Sequence, residues 1–373
     1  MSRFTPARGV AVAAALVALL ASTGAHADEP ESGDPLSGPI DRFTVAREAV
    51  SRHPGVHAAE MRAHATSTMA SSAGRLPPPE AMLQIWQVPL SRPYAVNDAG
   101  MVMVGLSQMF PPAGVRGARE RAGEHMAEAG RAMATDRARM IRREAEHAFI
   151  DYVESAAHER IHVEHRALAE RALGLARARL SGGGSLTDVT QAEVELARVQ
   201  ADVISDASRT MSARARLNTL LLRPANAPLG APIEGEPEIA MWDLSTIICK
   251  AEDARPEIRV AEAEHAARAE EARATAQEAK MPTFSVAALY FAPVGPMPVH
   301  GYGANASMSL PWLWGEASTR RDAAKEQAEA AGAEARASRI PIKADVAMAD
   351  ANMRASATRL QALRDLRIIF WKL

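Results

Sequence analysis

The sequence predicts a mainly α chain with a small β part: long antiparallel coiled-coil helices and a few strands, built as two tandem copies of one unit. Three observations lead there. Aromatic residues make up only 4% of the 373 residues, and alanine- and charge-rich segments dominate the middle, a composition suited to long helices rather than a thick aromatic core. Apolar residues recur every seven positions through a proline-free stretch, which is the pattern of a coiled-coil seam. Two halves of the chain, about 202 residues apart, repeat the same order of patterns, which is how a tandem structural repeat reads in sequence.

The first 27 residues read as a secretory signal. Arg3 and Arg8 precede an apolar run from Val10 to Leu20, and Ala25-His26-Ala27 gives a small-x-small cleavage pattern. The run is shorter than the ~20 residues needed to span a bilayer as a helix. Loss of Arg3 and Arg8 takes the formal charge from −2 to −4. That balance speaks against a nucleic-acid binder, which carries a basic excess. The only cysteine, Cys249, makes no intramolecular disulfide and no cysteine-based zinc cluster. No other apolar run is long enough for a transmembrane helix, so a membrane role for an exported chain calls for β-strands.

The repeat is read by overlaying HPGVHAAEMRAHATS (53–67) on RPEIRVAEAEHAARA (255–269), and GLSQMFPPAGVRGARERA (105–122) on SMSLPWLWGEASTRRDAA (307–324). The expected division is a first copy over 28–223, a Pro/Gly-rich linker over 224–244, and a second copy over 245–373. Each copy opens with a helix, expected over about 42–75 and 245–280. Strands follow. Tyr302, Ala304, Ala306, Met308 and Leu310 alternate with Gly301, Gly303, Asn305, Ser307 and Ser309. Thr283 to Phe291 is its partner. In the first copy Val102, Val104, Leu106 and Phe110 alternate with Met101, Met103, Gly105 and Ser107. Runs of about 10 alternating residues suit the tilted strands of a membrane barrel, and equally a soluble hairpin with one wet face. Two hairpins give four strands. Four cannot close a barrel, so strands that cross a membrane must be pooled among several copies.

A long helix is expected from Val115 to Leu180, roughly 100 Å at the α-helical rise. Its seven-residue stripes are Met126, Met133, Met140; Phe149, Ala156, Val163; and Ile161, Leu168, Leu175. The glycines of Ser181-Gly182-Gly183-Gly184-Ser185-Leu186-Thr187-Asp188 stop it, and Ser185 with Asp188 can form a capping box for a returning helix over Val189 to Leu222. The returning and leading helices together match the long helix in length. Stacked end to end, they can pair with it throughout, with the linker at the junction.

In this order of elements, and in ARLSGGGSLTDVTQAEVELARVQADV and ARLNTLLLRPANAPLG, the chain resembles the TolC family of outer-membrane efflux proteins. The resemblance covers nearly everything after the signal. It implies a homotrimer whose subunits each add four strands to a shared outer-membrane β-barrel, with the helices forming a tunnel through the periplasm. It implies partners: a periplasmic adaptor (membrane fusion) protein, an inner-membrane pump such as an RND transporter, and outer-membrane lipid. It implies efflux or type I secretion with no catalysis and no cofactor. The tip at Gly182, Gly183, Gly184, Ser185 and Asp188 corresponds to the periplasmic end that meets the adaptor, with Asp188 a capping or a pore-facing carboxylate. The exported substrate, whether drug, metal ion or protein, stays open. The second copy departs from the family pattern. It stops inside its long helix with no second glycine tip, and an apolar, aromatic run (Arg367 to Leu373) closes it. A truncated reading frame is the expectation this raises.

Other motifs compete with that reading. His158-Glu159-Arg160-Ile161-His162 has the H-E-x-x-H form of a zinc peptidase. Catalytic zinc also needs a third ligand, a cleft and an open position, and the motif sits within an unbroken coiled-coil helix. Histidines on a partly wet helix face account for it. The remaining alternative is a weak metal site through His158, His162 and His165. Gly301-Tyr302-Gly303-Ala304-Asn305-Ala306 lies in an alternating run and opens no helix, so it is no dinucleotide loop. Met101, Met103, Met109, Met281, Met297 and Met308 lie near the strands, as apolar filler or as soft thioether donors. A soluble periplasmic coiled-coil adaptor would explain the helical hairpin but not two strand pairs.

Overall fold

The computed structural model describes residues 36–94, 99–233, 242–293 and 299–371. The expected signal (1–27) and Met297 lie outside them. The order is α1 (Arg42–Arg52), α2 (Pro54–Ala73), β1 (Glu80–Trp86), β2 (Met101–Phe110), α3 (Val115–Ser181) and α4 (Leu186–Leu220). Then come α5 (Leu244–Ala254), α6 (Pro256–Lys280), β3 (Phe284–Pro293), β4 (Gly301–Met308), α7 (Glu316–Ala337) and α8 (Arg339–Trp371). Helix pair, strand pair and long helix thus recur in the same sequence. The start of the long helix is matched too. Gly114 before α3 and Gly315 before α7 both take left-handed φ values, 85° and 73°.

Each leading helix is two helices, not the single one expected. His53 and Arg255 are extended (φ −72° and −77°, ψ 119° in both) because the following proline ring disfavours α geometry in the residue before it. Proline then sits at N1 of α2 and α6, where its missing N–H costs nothing. The long helix of the second copy is also interrupted, at Ser338. Pro341 is the local cause, since it has no N–H to donate to the Ala337 carbonyl. The returning helix starts at Leu186, three residues earlier than expected.

Helix α3 is the spine. Along its first half it packs against α2 and α6, and along its second half against α4. The contact faces are alanine and glycine. Ala118, Ala122, Ala129, Ala145, Ala148, Ala263, Ala267 and Ala274 are buried, and Gly123 and Gly130 face Ala70 and Thr66. Small side chains let the helix axes approach closely. Within the single chain the seven-residue stripes are largely not the packed faces. Phe149 is buried, but Met126, Met133, Met140, Ile161, Val163, Leu168 and Leu175 are exposed in the single chain. The bulky stripe stays largely outside the packed faces, with Met133 and Met140 along the groove between α2 and α3, because the alanine face packs tighter.

The stacking of leading and returning helices along α3 is present. Their junction is the main core, where Leu36, Ile40, Val45, Ala49, Ile141, Phe149, Tyr152, Leu217 and Leu221 meet. The linker strand crosses there. Ile40 N–H donates to Ala231 O at 3.1 Å, Ile233 N–H to Ile40 O at 2.8 Å, and Gly230 N–H to Leu36 O at 2.9 Å. Asn218, fully buried, donates through Nδ2 to Ala225 O (3.2 Å) and Ala227 O (2.9 Å), and so shapes the chain as it leaves α4.

Candidate functional site

The strands form one antiparallel sheet in the order β1-β2-β3-β4, with β1 and β4 at its edges. Pairing across all four strands fixes the two faces. Leu83 faces Val104, Val104 faces Tyr290, and Tyr290 faces Tyr302. The next row is Ala81, Leu106, Ala288 and Ala304. Phe284, paired with Phe110 and Met308, closes the helix-proximal end. Residues directly opposite each other share a face, so this face is apolar except for Gln108, opposite Val286. Most of it is exposed: Leu83, Ile85, Val104, Leu106, Phe110, Phe284, Val286, Tyr302 and Met308. Phenylalanines close it at one end; toward the other, the tyrosine row is followed by one more apolar row, Ile85, Val102 and Ala292. From Phe284 to Tyr290 is six residues, about 20 Å at the strand rise. An exposed apolar band with aromatic rings toward both ends has the pattern of a lipid-facing barrel wall.

The opposite face is different. It carries nearly all of the sheet's polar side chains, Glu80, Gln84, Ser107, Ser285, Asn305 and Ser307, with glycines 105, 301 and 303, interleaved with Trp86, Ala287, Leu289 and Phe291. Ser107 and Ser285 hydroxyls meet at 2.9 Å across β2–β3. The methionines divide between the faces. Met82, Met101, Met103 and Met109 lie on this side. Met308 lies on the apolar side, and Met281 follows α6 off the sheet. The set therefore does not converge on one point. The Gly301–Ala306 run is strand, in β4.

At the other end, α3 and α4 meet in the tip. Gly184 N–H donates to Arg179 O at 2.9 Å and Gly183 N–H to Leu180 O at 3.1 Å, with Gly183 left-handed at φ 97°. This is a Schellman stop with glycine at the position that requires it. Ser185 accepts the Thr187 N–H at 3.1 Å and caps α4. Only half of the expected capping box forms. Asp188 lies in the first turn of α4, exposed, where its charge complements the helix dipole.

Ties across the α3–α4 hairpin come in rungs. Arg177 bonds Glu193 at 2.7 Å, His162 bonds Asp206, and Arg216 bonds Asp151 at 3.2 Å. Each pair lies about equally far on either side of the tip. That symmetry, required of an antiparallel hairpin, is the signal that could have identified Asp206 as the partner of His162. The HERIH histidines are side by side: ring centres are 6.4 Å apart for His158–His162 and 5.9 Å for His162–His165. Among the described residues no group of three or more metal-type donors is assembled. No described helix is long and apolar enough to cross a membrane.

No family model and no curated protein matches the sequence. Solved structures do match. The outer membrane protein VceC of Vibrio cholerae superposes with a TM-score of 0.68 at 16% identity, over 87% of this chain and 81% of that one. The Campylobacter jejuni CmeC outer membrane channel gives 0.64 at 14% identity, over 88% and 75%. CusC, described in terms of folding and transmembrane channel formation, gives 0.66 at 16% identity, over 90% and 80%. By its helices, its sheet and its repeat, this chain has the TolC-type fold of outer-membrane channels.

Proposed function

We propose that the chain is a subunit of an outer-membrane channel of the TolC family, a non-enzymatic conduit in a tripartite efflux or secretion system. The observation that carries this is the four-strand sheet, with one exposed apolar face, a second face that holds nearly all of its polar side chains and glycines, and two edge strands. A sheet with open edges is not tolerated in lipid. Joining β4 of one copy to β1 of the next closes it, and three copies give a twelve-strand barrel with the polar face inward. The exposed methionine and leucine stripes of α3 then pack between copies in the helical tunnel. The tip at Gly182–Asp188 points into the periplasm and is the contact for an adaptor, which joins the channel to an inner-membrane pump.

The test is native mass spectrometry on protein extracted from outer membranes, followed by reconstitution in planar bilayers. A trimer that opens ion-conducting pores is expected. A monomer recovered without detergent and silent in bilayers would overturn the reading and favour a soluble adaptor. The peptidase alternative is tested by Glu159→Gln. Unchanged export is expected, and loss of a measurable peptidase activity would reverse the conclusion.

A further inference from the structure

The histidines of HERIH acquire a second property from the α3–α4 packing. Nδ1 of His162 hydrogen-bonds Oδ2 of Asp206, and the other carboxylate oxygen accepts from Arg209 Nη1 at 3.3 Å. Asp206 is 2% exposed, so it is fixed by its surroundings. His162 itself is half-buried. With Nδ1 spent on the carboxylate as donor, the lone pair of neutral His162 is on Nε2. This is the carboxylate–histidine arrangement that orients a metal-binding imidazole and raises its basicity.

The neighbours supply a second donor. His158 lies one helical turn before His162 and is exposed, free to turn its ring. Two imidazoles on one tetrahedral ion, with metal–nitrogen bonds of about 2.0–2.1 Å, have ring centres roughly 5 Å apart. The observed 6.4 Å is longer, so the exposed His158 ring is the one that must turn toward His162. His53 and His57 have the same spacing on the chain, but His53 uses Nδ1 to accept the Gly55 N–H, so its ring is committed to capping α2.

We propose that His162 and His158 form a two-imidazole site for a divalent transition cation of the zinc, nickel or copper(II) class. His162 Nε2 is the fixed ligand, and Asp206 is its positioning residue. His165, its ring centre 5.9 Å from that of His162, flanks the pair on the other side along the helix. Among the described residues no group of three or more such donors is assembled, so water fills the remaining positions and the site is a weak binding site and not a catalytic one. Ligation at Nε2 strengthens the bond from Nδ1 to Asp206, so an occupied site braces α3 against α4. The inference does not depend on the channel reading, since it needs only the hairpin.

The experiment is calorimetric titration of Zn2+ and Ni2+ into the untagged, detergent-solubilised chain. One ion per chain is expected. His162→Ala should abolish uptake, and His158→Ala should weaken it at least tenfold. Asp206→Asn should weaken it ten- to a hundredfold, and His57→Ala should leave it unchanged. No saturable uptake by the natural chain at millimolar ion would overturn the proposal. So would equal affinities for the natural chain, His158→Ala and His162→Ala. Should Asp206→Asn fail to fold, the two histidine variants still decide.

Discussion

Arg121 on α3 closes on one carboxylate oxygen of Glu270 on α6 with two nitrogens, Nε at 3.0 Å and Nη2 at 2.8 Å. The pair joins the first copy of the repeat to the second. Glu270 is buried, and Arg273 bonds its other oxygen. The hydrogen bond from Arg121 holds the Glu270 carboxyl below its usual range, against the opposing effect of burial, with the charges of Arg273 and Arg121 adding to it. Glu270→Ala removes the tie between the two copies and leaves the half-exposed Arg121 to solvent. A loss of about 1–3 kcal/mol is expected, in the range for charged hydrogen bonds, and readable as a lower denaturation midpoint.

The same carboxylate makes a pH prediction. Its folded pKa is depressed, so its contribution is fully present above the unfolded value and is lost as pH falls through the folded one. Glu270→Gln should therefore flatten the acid side of the stability–pH curve, below the ordinary glutamate range. It should leave the slope near neutrality unchanged.

The two faces of the sheet should respond oppositely to charge. Val104 sits mid-face between Leu83 and Tyr290. Val104→Arg puts a guanidinium on the apolar side, at about 2–4 kcal/mol if it meets the bilayer midplane. Outer-membrane recovery should fall sharply. Asn305→Arg, on the polar side of β4, should assemble normally and shift pore selectivity toward anions. Equal recovery of the two variants would count against a lipid-facing apolar wall.

The tip depends on one backbone angle. Gly183→Ala forces a Cβ into the left-handed region, which costs about 1–2 kcal/mol. Ser185→Ala removes the cap on Thr187 and costs ~1 kcal/mol. Both should speed hydrogen exchange of amides 179–190 and leave the sheet untouched.

Asn218 governs the junction. Asn218→Ala removes the two N–H donors that reach the Ala225 and Ala227 carbonyls from a buried position and should cost about 1–3 kcal/mol. Asn218→Asp should cost more, because it loses the same donors and buries a charge. Thermal unfolding of both variants checks the order.

Much of this molecule was legible in its residues. Alternation in His300–Leu310 and Met101–Phe110 announces strands, because period two is set by the backbone alone. Gly182–Gly184 announces the tip, because only glycine takes φ 97° without strain. The proline-rich segment after Leu222 announces a crossing, and the lengths of the helices place it at the middle of α3. These are local signals, and local chemistry decides them. The breaks at His53 and Arg255 are equally local, and Pro54 and Pro256 marked them.

What tertiary structure decided is which of several plausible faces is used. The seven-residue stripes on α3 compete with its alanine face, and the alanines win within the chain because they let α2, α4 and α6 come closer. Met101, Met103 and Met308 look alike in sequence, yet register puts two on the polar face of the sheet and one on the apolar face. HERIH alone reads as a peptidase motif. Only the return of α4 brings the buried Asp206 onto His162 and shows what that imidazole is held by. Such pairings join residues far apart in the chain, and packing, not composition or period, selects them.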